Sequence, residues 1–211
     1  MNGPDRDVDD PGSPAGPPLP SSRRRVCVYA GASSGVRREY AEAAIALGKS
    51  LARRGLGLVY GGASVGLMGA CADAAMAAGG EVIGVLPKSL EAREIGHTRI
   101  TDLRIVGTLH ERKGLMTDLS VAFVALPGGI GTLDELFETA TWNYLGIHQK
   151  PYGLLDTEGY WQPLLGALDH LTREGFLQPA TRARFIVNAR VEGLLDALVG
   201  PAAQQSEKGT R

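Results

Sequence analysis

The chain has 211 residues, 44% of them hydrophobic and 21% charged, a composition that fits one ordinary globular domain and excludes a largely disordered or membrane-embedded protein. Lys+Arg 22 against Asp+Glu 23 leaves a formal charge of -1, so there is no broad basic field to collect nucleic acid or an anionic bilayer. Cys27 and Cys71 are too few for a disulfide framework or a cysteine-rich zinc site, and no leader-like or membrane-length apolar run is visible, which together predict a cytoplasmic protein.

Residues 1–25 hold half of the twelve prolines, run from acidic to basic and lack an apolar period, the pattern of a disordered tail. Arg23, Arg24 and Arg25 read as a solvated boundary rather than a nucleic-acid arm. Next come a predicted strand at 26–30, a helix at 37–54, a strand at 56–60 and a helix at 67–78. Strands at 82–86 and 103–106 follow, then a helix at 108–120, a strand at 121–126 and a helix at 132–145. A strand at 152–155 and helices at 160–174 and 191–199 complete the series, and residues 201–211 read as a second tail. Short β-branched runs alternating with longer helical patterns imply right-handed βαβ crossovers. The expected fold is a three-layer, doubly wound α/β domain, Rossmann-like, over 26–200, with ligands outside the carboxyl ends of its parallel strands.

Three loops at that edge are rich in glycine: Gly31-Ala-Ser-Ser-Gly35, Gly61-Gly-Ala-Ser-Val-Gly66 and Pro127-Gly-Gly-Ile-Gly-Thr132. Each precedes a predicted helix, where backbone N–H groups and the helix dipole can cradle an anion. The third loop lacks the Gly-Lys-Ser/Thr ending of a P-loop and has Asp134 where a dinucleotide fingerprint needs its third glycine. A monophosphate is therefore the better fit. By spacing alone, Thr132-x-x-Glu135 reads as a helix capping box. Arg112 shares a helical stripe with Leu109, Leu115, Met116 and Leu119, so its guanidinium emerges from an apolar face, either snorkelling past the core edge, pairing with a structural carboxylate or entering a pocket.

The run Pro127-Gly-Gly-Ile-Gly-Thr-Leu-Asp-Glu135, with Arg112-Lys113 upstream, resembles the LOG ("Lonely Guy") family of nucleoside 5′-monophosphate phosphoribohydrolases. The likeness runs from about residue 26 to 176 and includes Tyr60-Gly-Gly, Gly66-Leu-Met-Gly69, Arg93-Glu94, Thr141-Trp142 and Leu145-Gly-Ile-His148. It implies cleavage of the N-glycosidic bond of a purine riboside 5′-monophosphate, N6-modified or plain, to free base and ribose 5-phosphate. Under this resemblance Gly128, Gly129, Ile130, Gly131 and Thr132 hold the 5′-phosphate. Glu135 moves from the cap to the ribose, where its charge meets the oxocarbenium-like transition state. Arg112 donates to the phosphate or the leaving base, and Lys113, Glu94 and Thr141 also contact substrate. Gly31, Ser33, Gly61, Gly62 and Met68 complete the implied site.

The resemblance implies a homodimer and no cofactor. His97, His110, His148 and His170 lack paired ligand spacing, so no metal is expected. Met76, Trp142 and Phe137, with Met68 as a competing reading, fit core or subunit packing. Family members have been labelled lysine decarboxylases, but nothing in the chain specifies a pyridoxal phosphate site. The alternative function is a carrier for a phosphorylated ligand such as molybdenum cofactor.

Overall fold

The computed structural model describes residues 24–89 and 96–201. Seven strands form one fully parallel sheet: β1 (Arg25–Tyr29), β2 (Gly57–Tyr60), β3 (Val82–Pro87), β4 (Asp102–Val106), β5 (Ala122–Ala125), β6 (Tyr152–Leu155) and β7 (Phe185–Asn188), in the order β4-β3-β2-β1-β5-β6-β7. The helices are α1 (Arg38–Arg53), α2 (Gly66–Ala77), α3 (Leu109–Asp118), α4 (Ile130–Tyr144), α5 (Gln162–Arg173), the short α6 (Pro179–Arg182) and α7 (Val191–Val199).

Side chains alternate across β1. Val26 and Val28 join a core with Leu47 and Leu51 of α1, Leu67 and Cys71 of α2, and Leu194 and Leu198 of α7. Cys27 and Tyr29 face the opposite core, with Met116 of α3, Leu136 of α4, and Leu165 and Leu168 of α5. Both faces of the sheet are covered, which is why its strands read as continuous apolar runs. The doubly wound α/β architecture expected from the sequence is the one observed.

Three local expectations are corrected. Arg25 is not part of a solvated boundary: it opens β1 and is buried, with Nε 2.8 Å from Glu81 Oε2. Gly57 makes room for this pair, since a Cβ there would lie 2.6 Å from Glu81 Oε2 and 2.8 Å from Arg25 Cγ. The edge strand β7 was not foreseen, because its four residues Phe185–Asn188, mostly half-buried, carry too short an apolar pattern. The helix expected from 160 starts instead at Gln162, with Pro163 in its first turn. A tight turn, Thr157–Gly159, precedes it. The bulk of both predicted tails, and Glu94, lie outside the described residues.

Two predictions follow from packing and burial. Helices α1 and α2 touch at Gly48, where a Cβ would sit 2.2 Å from the Cys71 carbonyl oxygen. Because that obstacle is backbone, Gly48→Ala is expected to cost about 1–3 kcal/mol by overpacking, readable as a lowered midpoint in thermal or urea unfolding. His148 is buried against Phe123, and burial together with Lys150 holds its imidazole below the ordinary value of 6.5. The unfolded chain then binds the proton more readily, so stability present above the unfolded pKa should decline as pH falls below about 6.5. His148→Gln should remove this residue's share of the slope in unfolding measured between pH 7.5 and 5.5, a range chosen to bracket the ordinary histidine pKa of about 6.5.

Candidate active site

β1 is followed by strands that add on one side and β5 by strands that add on the other, so the sheet reverses direction between them. A crevice opens at such a switch point, outside the carboxyl ends of the two strands. Here it is a cavity of about 660 Å³ lined by Gly31, Ser33, Ser34, Met68, Arg112, the 127–129 turn, Gly131, Thr132, Glu135 and Tyr160, with Tyr40 and Leu67 among the remaining walls.

The three glycine loops meet around Gly31. Its N–H donates to Pro127 O at 3.1 Å, and its carbonyl accepts from Leu67 N at 3.0 Å and Met68 N at 3.3 Å. A Cβ at Gly31 would lie 3.3 Å from Gly128 Cα, and one at Gly66, whose φ is +63, would lie 2.3 Å from the Ala32 carbonyl carbon. Gly129 and Gly131 differ, for a Cβ at either would meet nothing within 4 Å. Their missing side chains leave open space over the first turn of α4, whose N–H groups have no partner within the helix and whose dipole is positive there.

The capping-box reading of Glu135 does not hold. The α4 N-cap is Gly129, so Thr132 is already inside the helix and Glu135 lies a turn further on. A reciprocal capping box occurs instead at α3, where Thr108 Oγ1 accepts from Glu111 N at 3.1 Å and Glu111 Oε2 accepts from Thr108 N at 3.2 Å. That box starts α3 at Leu109 and puts Arg112 directly after its first turn.

Arg112 turns inward and is only 8% exposed. Its Nε donates to Val85 O at 3.0 Å and its Nη2 to Gly61 O at 3.2 Å, carbonyls from β3 and from the loop after β2. Its Nη1 stands 3.5 Å from Glu135 Oε1, and Glu135 is equally buried. These two are the charged side chains among the residues lining the cavity. Because arginine stays protonated, it can serve as a fixed donor but not as a titrating acid. A carboxylate held beside it can face developing positive charge.

Other expected site residues are distributed differently. Gly31, Ser33, Met68, Gly128, Gly129, Gly131, Thr132, Arg112 and Glu135 all line the cavity. Gly61 acts at one remove, by accepting from Arg112, and Gly62, with φ +84, packs toward Leu86 and Leu103. Lys113 lies outside the lining, with Nζ 3.1 Å from both Asp134 and Glu138. Burial pulls its pKa down, but hydrogen bonds to those two carboxylates outweigh it and raise the value. Ile130 is 82% exposed, and Thr141 is also exposed, away from the cavity within this chain. Phe137 is partly exposed rather than core, whereas Met76 packs against the α1–α2 core.

Tyr40 and Tyr160 were missed. Tyr40 falls within the helix expected at 37–54 without being singled out, and Tyr160 opens the helix expected at 160–174, which starts two residues later. Its place after β6, at the carboxyl edge, was the available signal.

A parallel doubly wound sheet with an anion-ready glycine loop at its switch point defines a nucleotide-type binding protein. The family model described as "Possible lysine decarboxylase" matches residues 68–198. The chain is 47% identical over 185 residues to the cytokinin riboside 5′-monophosphate phosphoribohydrolase of Rhodococcoides fascians, covering 87% of this chain and 92% of that one. It is 48% identical over 166 residues to the enzyme LOG of the same name from Oryza sativa subsp. japonica, covering 79% and 68%. Among solved structures it is similar to the molybdenum cofactor carrier protein of Chlamydomonas reinhardtii, with a TM-score of 0.61, 25% identity, and 83% and 95% coverage. The chain belongs to the LOG family.

The seat of Arg112 can be tested directly. A Cβ at Gly61 would lie 2.1 Å from Arg112 Nη2 and 3.0 Å from Met68 Sδ. In nitrogen-15 NMR the Arg112 Nε–H of the wild type should exchange slowly, as a buried hydrogen-bonded donor. In Gly61→Ala it should exchange at least tenfold faster, about 1.4 kcal/mol of lost protection, roughly one buried hydrogen bond.

Proposed function

We propose that the protein hydrolyses the N-glycosidic bond of a purine riboside 5′-monophosphate, releasing free base and ribose 5-phosphate. The buried Arg112–Glu135 pair facing a cavity with an open glycine cradle is the observation that carries this reading, and the relatives named for the same reaction support it. The 5′-phosphate lies over Gly128, Gly129, Gly131 and Thr132, where preorganised N–H groups need no reorganisation during the reaction. Glu135 stands at the ribose, because its charge repels a phosphate but stabilises the oxocarbenium-like sugar that forms as the bond from C1′ to the base nitrogen breaks. Water supplies hydroxide to C1′ and a proton to the departing base. Arg112 donates to the anionic side of the reacting nucleotide, its direction set by the carbonyls of Val85 and Gly61.

A carrier function for a phosphorylated ligand is the second reading, favoured by the likeness to the molybdenum cofactor carrier. The glycine cradle suits both. A buried carboxylate in the wall repels a polyanionic cargo, whereas it serves an oxocarbenium, so the hydrolase reading is preferred.

We infer a homodimer from the apolar side chains exposed on and after α3 and α4, Leu109, Phe137, Tyr144, Leu145 and Ile147, a patch of the kind that marks an interface. We infer a cytoplasmic location as well, in keeping with a nucleoside monophosphate as the proposed substrate. Among the described residues no helix is long and apolar enough to cross a membrane.

AMP should release adenine, and adenosine should be cleaved far more slowly because the anchoring energy of the phosphate is missing. Glu135→Gln should lower kcat on AMP by about a hundredfold or more, as removal of a preorganised electrostatic group does. Near-normal turnover in the folded variant would remove the catalytic role of Glu135. A protein that binds AMP without releasing adenine would instead favour the carrier.

A further inference from the structure

We propose that Tyr160 is a positioning residue for the phosphate cradle: its hydroxyl fixes the Gly128–Gly129 peptide so that the Gly129 N–H is held ready for the 5′-phosphate. The inference rests on the hydrolase reading above. Tyr160 Oη donates to Gly128 O at 2.6 Å, from a half-buried side chain that also lines the cavity. The peptide is trans, as are all those described, so the Gly129 N–H points opposite to the Gly128 carbonyl. Holding the carbonyl therefore aims the N–H.

Gly128 needs such an external hold. Glycine is permissive in its backbone angles, and Gly128, Gly129 and Gly131 stand within four residues, so the loop has little intrinsic preference for one peptide orientation. A Cβ at Gly128 would lie 2.1 Å from Thr132 Oγ1 and 2.9 Å from Gly31 N, so no bulkier residue could stiffen the loop from within. A bond from outside the loop supplies the stiffness instead.

The chain goes to some trouble to deliver Tyr160. Glu158 has φ 54 and ψ 29, the one described non-glycine residue in the left-handed region, and Gly159 follows with φ 70. Such a conformation is unfavourable for a non-glycine residue and persists where surrounding structure demands it. It turns the chain after β6 so that Tyr160 reaches the β5 loop rather than continuing into α5. Two rings then lock the side chain edge-on: Tyr40, with centroids 5.5 Å apart, and Trp161, at 4.9 Å. Tyr40 belongs to α1, behind the first glycine loop, so the two tyrosines tie both phosphate-facing loops to one wall.

The test is Tyr160→Phe, which keeps the ring and its edge contacts and deletes only the hydroxyl. Three measurements go together: calorimetric Kd for ribose 5-phosphate, kcat/KM for AMP and for adenosine, and thermal unfolding. The expected result is a Kd for ribose 5-phosphate raised about fivefold to tenfold, the scale of one hydrogen bond. The ratio of kcat/KM for AMP over adenosine should shrink by a similar factor, with Tm moved by only a few degrees. An unchanged Kd and an unchanged ratio in the folded variant would overturn the inference. So would a large fall in Tm with an unaltered Kd for the folded fraction, because the hydroxyl would then serve stability alone. If the wild type binds ribose 5-phosphate, loses affinity in Tyr160→Phe and yet releases no adenine from AMP, the hydrolase reading fails while the cradle assignment stands.

Discussion

Everything at the candidate site depends on the close approach of three backbones at Gly31. The residue donates to the loop after β5 and accepts twice from the start of α2, so one residue links the turns that follow three strands. Side chains would hold these turns apart, since a Cβ at Gly31, Gly66 or Gly128 would meet a neighbouring atom within 2.1 to 3.0 Å. The consequence is a crevice walled by main chain, in which N–H groups rather than flexible cationic side chains are available to an anion. Donors of that kind are already oriented before the ligand arrives.

The same principle governs the one charged pair. Arg112 and Glu135 come from helices α3 and α4 on one side of the sheet and meet at its carboxyl edge, largely out of water. A buried ion pair is a poor source of stability, because desolvation offsets much of the attraction. Here the guanidinium recovers part of that loss from two carbonyls, Gly61 just after β2 and Val85 within β3. The pair is better understood as stored orientation: each member is held at the cavity wall, as the proposed reaction requires. By contrast the buried Arg25–Glu81 pair lies at the opposite, amino end of the strands, where it closes the base of the sheet beside Gly57.

Rigid packing and chemistry are thus divided between the faces of the sheet and its carboxyl edge. Two apolar cores, one on each face, hold the strands in register, and the loops after the strands carry the polar work. The turn that brings Tyr160 under the β5 loop belongs to this second group, and its left-handed Glu158 is the kind of local cost that functional loops retain.

The sequence by itself determined the alternation of strand and helix, the parallel doubly wound class and the three glycine loops at one edge, because buried strands and amphipathic helices leave periodic patterns that survive without tertiary knowledge. The run from Pro127 to Glu135, with Arg112, also marked the candidate site and, through its resemblance, the family, since that run is contiguous in the chain. What only the tertiary structure decided is which side chains converge. Thr132-x-x-Glu135 has the spacing of a cap, yet the helix begins at Ile130 and frees Glu135 for Arg112. Lys113 adjoins Arg112 in the chain, but a helix turns by about 100° per residue, and that rotation sends its ammonium to Asp134 and Glu138 instead of the cavity. Arg25 looked like part of a solvated basic run and is buried, because its partner Glu81 lies 56 residues away on the neighbouring chain segment. Tyr160 reaches the cradle only through a turn whose left-handed residue is a glutamate, for which no sequence rule would have asked. Local rules read spacing along one element, while these contacts arise between elements, where sheet order and helix start set the distances.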